Sequence, residues 1–193
     1  MAGKVAPAGR IIVADDDNVY GYGQKPEFLT ESIITEYSLF AADKKGSGSA
    51  VKEFMKTGGN MWYPGAGNWE EGQSLPEIQM SAVQFKWQVD KPDISAMAMV
   101  LADKTLFVAG SPDIIDEKDV YFFLDDEEVK EKLARQSDLQ KGKEGGKMWA
   151  VSAKSGKKLK EFNLDSLPVW DGMAASKGQL YISTIDGELL CFK

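Results

Sequence analysis

The chain has 193 residues, of which 43% are hydrophobic and 27% charged, and its formal net charge is −7 at pH 7. These values are typical of a globular domain, and the acidic balance argues against nucleic acid as a partner, since phosphate binding depends largely on Lys and Arg. The sequence has no histidine, which excludes Ser-His-Asp catalysis, Cys-His catalysis and histidine-ligated metals within this chain.

The N-terminal segment MAGKVAPAGR has no apolar stretch of signal-peptide length. No apolar run elsewhere reaches the roughly 18 residues that a membrane span needs. We therefore predict a chain without a membrane span.

The first predicted element is a β-hairpin over residues 9–23 (GRIIVADDDNVYGYG). Its apolar residues alternate, and Asp17-Asn18 favours a tight turn because Asn tolerates the left-handed region. The run Asp15-Asp16-Asp17-Asn18 also suggests calcium, which prefers clustered carboxylates. An EF-hand loop would have glycine where this chain has Tyr20, so we favour the turn over an ion site.

The next unit, residues 38–54 (SLFAADKKGSGSAVKEF), predicts a strand, a glycine-containing turn and a second strand. Residues 148–162 (MWAVSAKSGKKLKEF) repeat this pattern. Units of this size indicate consecutive antiparallel hairpins and an all-β fold.

Residues 59–92 interrupt the repeat and contain three of the five tryptophans together with several glycines and prolines. We predict a long loop with one strand at 81–89. Within it, Trp62, Tyr63 and Trp69 could form a stacking platform for a ligand or partner. The alternative is that these rings form a small cluster that orders the insertion itself.

Residues 111–146 form a second insertion and predict one surface helix near 126–141. Asp125 and Glu128 have capping-box spacing, and Val129 with Leu133 marks a narrow apolar stripe. Favourable i,i+4 ion pairs are expected for Glu128 with Lys132 and for Glu131 with Arg135.

The chain closes with a hairpin over residues 178–192 (GQLYISTIDGELLCF), where Asp186-Gly187 favours a type I′ turn. This pattern aligns with residues 9–23, and residues 103–110 (DKTLFVAG) match its first half. Cys191 is the only cysteine, so no intrachain disulfide is possible. Its place in a strand predicts a small buried side chain.

The run Met148 to Phe192 contains MWAVSAKSGK, WDGMAA and LYISTIDG. It resembles the PQQ-like repeat of quinoprotein alcohol dehydrogenase-like β-propellers, and the likeness extends to EYSLFAADK, MVLADKTLFVAGSPD and IIVADDDNVYGYG. The chain looks most like the C-terminal part of large propeller proteins of planctomycete type. The resemblance implies a partial β-propeller of about three blades, with residues 1–193 as one propeller-like domain or fragment.

The sequence also departs from this family. Its blades dock through a motif Ala-x-Asp-x-x-Thr-Gly-x-x-x-Trp, whose Trp packs between blades. Here Ala150 and Gly156 match the motif, while its Asp, Thr and Trp positions hold Ser152, Ser155 and Lys160. We therefore expect that contact to be missing or replaced. Quinone-dependent members typically carry a vicinal disulfide, which one cysteine cannot form. We therefore predict no catalytic, cofactor-binding or metal residues.

Two functions are consistent with these observations. The first is a non-catalytic β-propeller module, a scaffold or interaction surface within a larger propeller, whose partners are the remaining blades or another protein chain. The alternative is a portion of a quinone-dependent or electron-transfer oxidoreductase whose active site lies largely outside this chain, with PQQ and calcium in the parent protein. The resemblance also implies that similar full-length proteins are exported or periplasmic.

Overall fold

The structure, a computed structural model, describes residues 8–28, 33–45 and 84–193. Within these ranges the chain forms eleven β-strands and two α-helices. The strands make three open antiparallel sheets, which confirms the predicted all-β class. The predicted second strand of the 38–54 unit lies outside the described residues.

Each sheet is a meander of consecutive strands. The first sheet contains β1 (Ala8–Ala14), β2 (Asn18–Phe28), β3 (Ile33–Asp43) and β4 (Phe85–Asp90). The second sheet contains β5 (Ile94–Ala102), β6 (Thr105–Pro112), β7 (Gly146–Ser152) and β8 (Lys158–Leu164). The third sheet contains β9 (Pro168–Ser176), β10 (Gln179–Thr184) and β11 (Leu189–Phe192).

The second sheet lies between the other two and buries both of its faces. One face, which includes Val108, packs against Leu39 of the first sheet. The opposite face, which includes Met148, packs against Ile182 of the third sheet. Side chains alternate between the two faces along each strand, so the residues of β6 and β7 are all buried or half-buried.

The first strands of the three sheets lie side by side. Strand β1 contacts β5, and β5 contacts β9. The Arg10 guanidinium of β1 also lies 4.9 Å from the ring centroid of Trp170 on β9. The three meanders are therefore stacked with their first strands on the same side.

An indole from the first sheet packs on the turn between β7 and β8 of the second sheet. Trp87 of β4 lies over Gly156, in the turn between β7 and β8, where an added Cβ would come within 2.5 Å of the ring. The Trp87 Nε1–H donates to the Ala153 carbonyl at 2.8 Å. Gly156 therefore packs against a Trp from another sheet. The Lys160 ammonium lies 4.7 Å from the Phe162 ring centroid.

The helical insertion contains two helices, whereas the sequence predicted one. Helix α2 (Glu127–Gln140) confirms the helix expected near 126–141, with Asp126 rather than Asp125 as its N-cap. Helix α1 (Glu117–Phe123) was not predicted, because its β-branched and aromatic residues have modest helix propensity. Helix α2 also contacts β6, so it is not only a surface element.

The ion pairs on α2 agree only in part with the sequence. Lys132 binds Glu128 at 2.9 Å as expected. Arg135 binds Glu144, with Nη2 at 3.1 Å and Nε at 3.3 Å, and not Glu131. The turn after the helix places both oxygens of Glu144 within reach, and such a two-point contact is stronger than a single i,i+4 pair.

The final hairpin is confirmed, but the predicted type I′ turn was wrong. Gly187 N–H donates to the Thr184 carbonyl at 3.0 Å, and only Gly187 has a positive φ, of 88°. This is the three-residue loop in which a left-handed glycine follows a type I turn. Two consecutive positive φ values occur instead at Lys177 and Gly178, between β9 and β10.

Strand pairing corrects one further sequence prediction. Strand β3 pairs with β2 on one edge and with β4 on the other. The hairpins at 9–23 and 178–192 both exist, but the first begins its sheet while β10 is a middle strand. Similar turn residues made two different positions look equivalent.

Two smaller expectations have different outcomes. The strand expected at 81–89 is observed as Phe85–Asp90, and residues 81–83 lie outside the described ranges. Cys191, predicted to be buried, is exposed on β11. It lies directly opposite Tyr181 of β10, on the face of the third sheet that points away from the second.

Candidate functional site

The residues that the sequence suggested for ligand or partner binding, Trp62, Tyr63 and Trp69, lie outside the described residues, and their role stays a prediction. Two other features stand out in the described part of the chain. One is a carboxylate cluster where the helical insertion meets the first sheet. The other is an exposed apolar segment at the end of α1.

The carboxylate cluster is centred on Lys91 in the turn between β4 and β5. Its ammonium lies 2.7 Å from Asp116 and 3.2 Å from Glu36. Asp116 is the N-cap of α1 and accepts from Lys118 N–H at 2.9 Å. Glu36, on β3, is 8% exposed and accepts from the backbone N–H of Glu117 at 3.1 Å. The cluster therefore joins α1, β3 and the β4–β5 turn.

The pKa values of the two acidic partners of Lys91 are shifted in opposite directions. Burial raises the pKa of Glu36 above its ordinary value, against the effect of Lys91. The hydrogen bond from Lys91 lowers the pKa of Asp116. Burial acts to lower the pKa of Lys91. The hydrogen bonds from Lys91 to Asp116 and Glu36 outweigh burial, so the pKa of Lys91 is raised. Asp116 therefore keeps its charge to lower pH than an ordinary aspartate does, whereas Glu36 binds a proton at higher pH than an ordinary glutamate does.

Two more carboxyls extend the cluster. Burial raises the pKa of Asp113, whose carboxylate accepts from Ile115 N–H. Burial also raises the pKa of Glu117, and the negative charges of Glu36 and Asp113 raise it further. The phenol of Tyr22 is fully buried nearby, and burial together with the Asp113 charge raises its pKa. Groups with shifted pKa values gather at functional sites, but structural ion-pair networks shift them as well.

The geometry of this cluster explains an anchoring role. Asp116 joins the start of α1 to Lys91 in the β4–β5 turn, and Glu36 joins it to β3 through Glu117 N–H. The cluster includes one lysine among four carboxyls. Across residues 8–28, 33–45 and 84–193, no group of three or more Asp, Glu or Cys side chains is arranged to hold a metal ion. We therefore interpret the cluster as the attachment point of the insertion.

The acidic run in the first hairpin stabilises the turn between β1 and β2. The Asp15 carboxylate accepts from Asn18 N–H at 2.7 Å, from Asp17 N–H at 2.9 Å and from the Tyr20 hydroxyl at 3.0 Å. The Asn18 side-chain bond is the main cause that lowers the pKa of Asp15 to about 2. This confirms the hairpin interpretation of these residues.

The exposed apolar segment is Tyr121–Leu124, at the C-terminal end of α1. Its four side chains are 48%, 55%, 59% and 56% exposed in chain order. The ring centroids of Tyr121 and Phe122 are 5.1 Å apart and nearly perpendicular. Sequence reasoning missed this surface, although four consecutive large apolar residues within a charged stretch were a usable signal.

No family model, no curated protein and no solved structure matches this chain. Among the helices in the described ranges, none is both long and apolar enough to cross a membrane. Function must therefore be inferred from the sheets and from the surfaces that they carry.

Proposed function

We propose that this chain is a non-catalytic β-propeller module that acts as a scaffold or interaction surface, as part of a larger propeller. The observation that carries the proposal is the stacking of three antiparallel meanders with their first strands adjacent. Propeller blades are four-stranded antiparallel sheets arranged radially around a central axis. The first two sheets have four strands each, as blades do.

The contact between the first two sheets supports the same proposal. Trp87 packs on Gly156 and donates to the Ala153 carbonyl, so an indole joins two neighbouring sheets through the glycine of the repeat motif. In the PQQ-like family that this sequence resembles, a Trp also packs between blades.

The third sheet offers a face for further packing. Its inner face carries Leu180 and Ile182 against the second sheet. Its outer face includes Tyr181 and the exposed side chains of Leu189 and Cys191, and Leu189 is 66% exposed. Exposed apolar surface of this kind is typical of interaction sites. We propose that this face receives the remaining blades or another protein chain.

Cross-linking of the purified chain, followed by mass spectrometry, tests where association occurs. The amines of Lys177 and Lys193 lie at the ends of the strands that form the outer face, and they should dominate the intermolecular cross-links. Leu189→Glu should remove these cross-links, because it places a charge on the face. The matched control Leu159→Glu, on the second sheet, should leave them unchanged. Equal cross-linking in both variants would contradict the proposed face.

The alternative, a portion of a quinone-dependent oxidoreductase, is tested separately. A ligand that binds only the folded state must raise the unfolding temperature. Addition of PQQ with calcium should leave the Tm of this chain unchanged if the scaffold proposal is right. A saturable rise in Tm would favour the oxidoreductase.

A further inference from the structure

We propose that Tyr121–Leu124 is a docking surface for a basic amphipathic helix of a partner protein. The proposal goes beyond the propeller module and does not depend on it, because it uses only the helical insertion. Its basis is an exposed apolar segment of four side chains, each about half exposed, inside a strongly acidic stretch.

The geometry of the segment suits binding. Phe122 and Phe123 are on the last turn of α1 and Leu124 is its C-cap, so the rings project from a fixed backbone. The Phe122 and Phe123 centroids are 6.4 Å apart, which gives a compact apolar surface. Aromatic side chains of this kind are enriched at protein interfaces, where they contribute large contact areas.

The charge around the segment selects the partner. From Asp113 to Glu128 the sequence has eight acidic residues and one lysine. Asp119 precedes the segment, and Asp125, Asp126 and Glu127 follow it, all of them exposed. A partner must therefore place apolar side chains on the rings and positive charges on both sides.

A basic amphipathic helix satisfies both conditions. It presents apolar residues at i, i+3, i+4 and i+7 and basic residues along the borders of that stripe. A second copy of this chain would bring the same carboxylates together, and like charges across an interface are strongly unfavourable. An anionic membrane would be repelled for the same reason.

The insertion is attached firmly enough to act as a binding element. Asp116 and Glu36 hold the start of α1 on Lys91, and α2 buries Leu139. Gln136 donates to the Pro112 carbonyl at 3.1 Å and accepts from Ile114 N–H at 2.9 Å. The apolar segment thus projects from a supported helix pair, so little ordering would be needed on binding.

The experiment uses the whole chain and a peptide of about 18 residues composed of Leu and Lys in the amphipathic pattern. Calorimetry or fluorescence anisotropy should show saturable binding that weakens as salt rises from about 50 to about 300 mM. A peptide of the same composition in scrambled order should bind at least about tenfold more weakly. Equal binding of both peptides would overturn the proposal.

Variants separate the apolar and charged contributions. Phe122→Ser with Phe123→Ser should weaken binding at least about tenfold while the net charge is unchanged. Phe123→Ser alone keeps the test valid if the double variant folds poorly. Asp119→Asn with Asp125→Asn should reduce the salt dependence of binding. The control is Leu159→Ser, which replaces an exposed apolar residue on β8. Loss of binding in Leu159→Ser, or no loss in the Phe variants, would contradict the proposal.

The other possible occupants are outcomes of the same study. Sedimentation of the chain with phosphatidylcholine vesicles, with and without phosphatidylserine, tests a lipid surface. Vesicle binding that is abolished by Phe123→Ser would overturn the peptide proposal in favour of a membrane. Self-association that is abolished by Phe123→Ser would overturn it in favour of a second copy.

Discussion

At the scale of single residues, the turn at Gly187 depends on backbone conformation alone. Its φ is 88°, and a Cβ added there would meet no atom within 4 Å. Gly187→Val should therefore destabilise the protein by about 1–3 kcal/mol through backbone strain only. Gly187→Asn should be tolerated better, since Asn adopts the left-handed region. Urea unfolding measures the difference, and a Val variant as stable as the parent would show that the turn is misassigned.

The two carboxyl partners of Lys91 should respond oppositely to pH. The folded-state pKa of Glu36 is raised, so its protonated form stabilises the fold, and this stability is lost as pH rises through that pKa. Glu36→Gln imitates the protonated form and keeps an acceptor for Glu117 N–H. We expect Glu36→Gln to match the parent at low pH and to be more stable at pH 7.

Asp116→Asn is the matched comparison. The folded-state pKa of Asp116 is lowered, so its charge contributes stability above the unfolded-state pKa, and this is lost as pH falls through the folded-state pKa. Asn remains a good N-cap, so the variant isolates the bond to Lys91. We expect a loss of about 0.2–1 kcal/mol at pH 7, as for partly exposed ion pairs, and no loss at low pH. Urea unfolding at several pH values measures the stability of both variants. If Glu36→Gln and Asp116→Asn changed the free energy of unfolding at pH 7 in the same direction, this interpretation would be contradicted.

At the scale of elements, Trp87 should be the main link between β4 and the β7–β8 turn. Trp87→Phe keeps a ring but loses the 2.8 Å bond to the Ala153 carbonyl, which should cost about 1 kcal/mol. Trp87→Ala also removes the packing on Gly156 and should cost about 2–4 kcal/mol. The control Trp170→Ala removes a half-exposed indole and should cost less. Equal losses at the two positions would contradict the docking role.

Helix α2 provides a second prediction at this scale. Leu139 is 1% exposed, and Leu139→Ala should cost about 2–5 kcal/mol, whereas Leu133→Ala, at a partly exposed position, should cost less. Replacement of residues 126–141 by a short Gly-Ser bridge should keep the β-sheet circular dichroism, because β6 still pairs with β5 and β7. It should nevertheless lower the free energy of unfolding. A bridge variant as stable as the parent would show that α2 is dispensable.

The sequence predicted the positions of helices and hairpins better than the strand pairing and the tertiary contacts. Local signals located α2 and the last hairpin, because helix caps and tight turns depend on neighbouring residues, but they missed the cap residue, Asp126, and the turn type at Gly187. Strand pairing did not follow from local signals, since β3 and β4 are separated by 41 residues, and nothing near 38–43 specifies that partner. The carboxylate cluster was missed for the same reason: Glu36, Lys91 and Asp116 meet only through the tertiary fold.

At the scale of the whole molecule, the proposed function depends on how the three sheets are stacked. The second sheet is covered on both faces by the first and third sheets. The third sheet has an outer face that includes exposed Leu189 and Cys191. The repeat pattern predicted consecutive hairpins, but which sheet packs on which could not be read from it, because alternating apolar residues mark a buried face without naming its partner.

Sedimentation velocity of the purified chain, over a concentration series that reaches tens of micromolar, tests this account most directly. If the chain is a propeller module whose third sheet packs against further sheets, the sedimentation coefficient should rise with concentration, because exposed apolar faces associate in water. Leu189→Glu should shift the series back toward the monomer, and Leu159→Glu should not. A compact monomer at every concentration, with both variants sedimenting like the parent, would contradict the account and favour a self-contained β-sandwich.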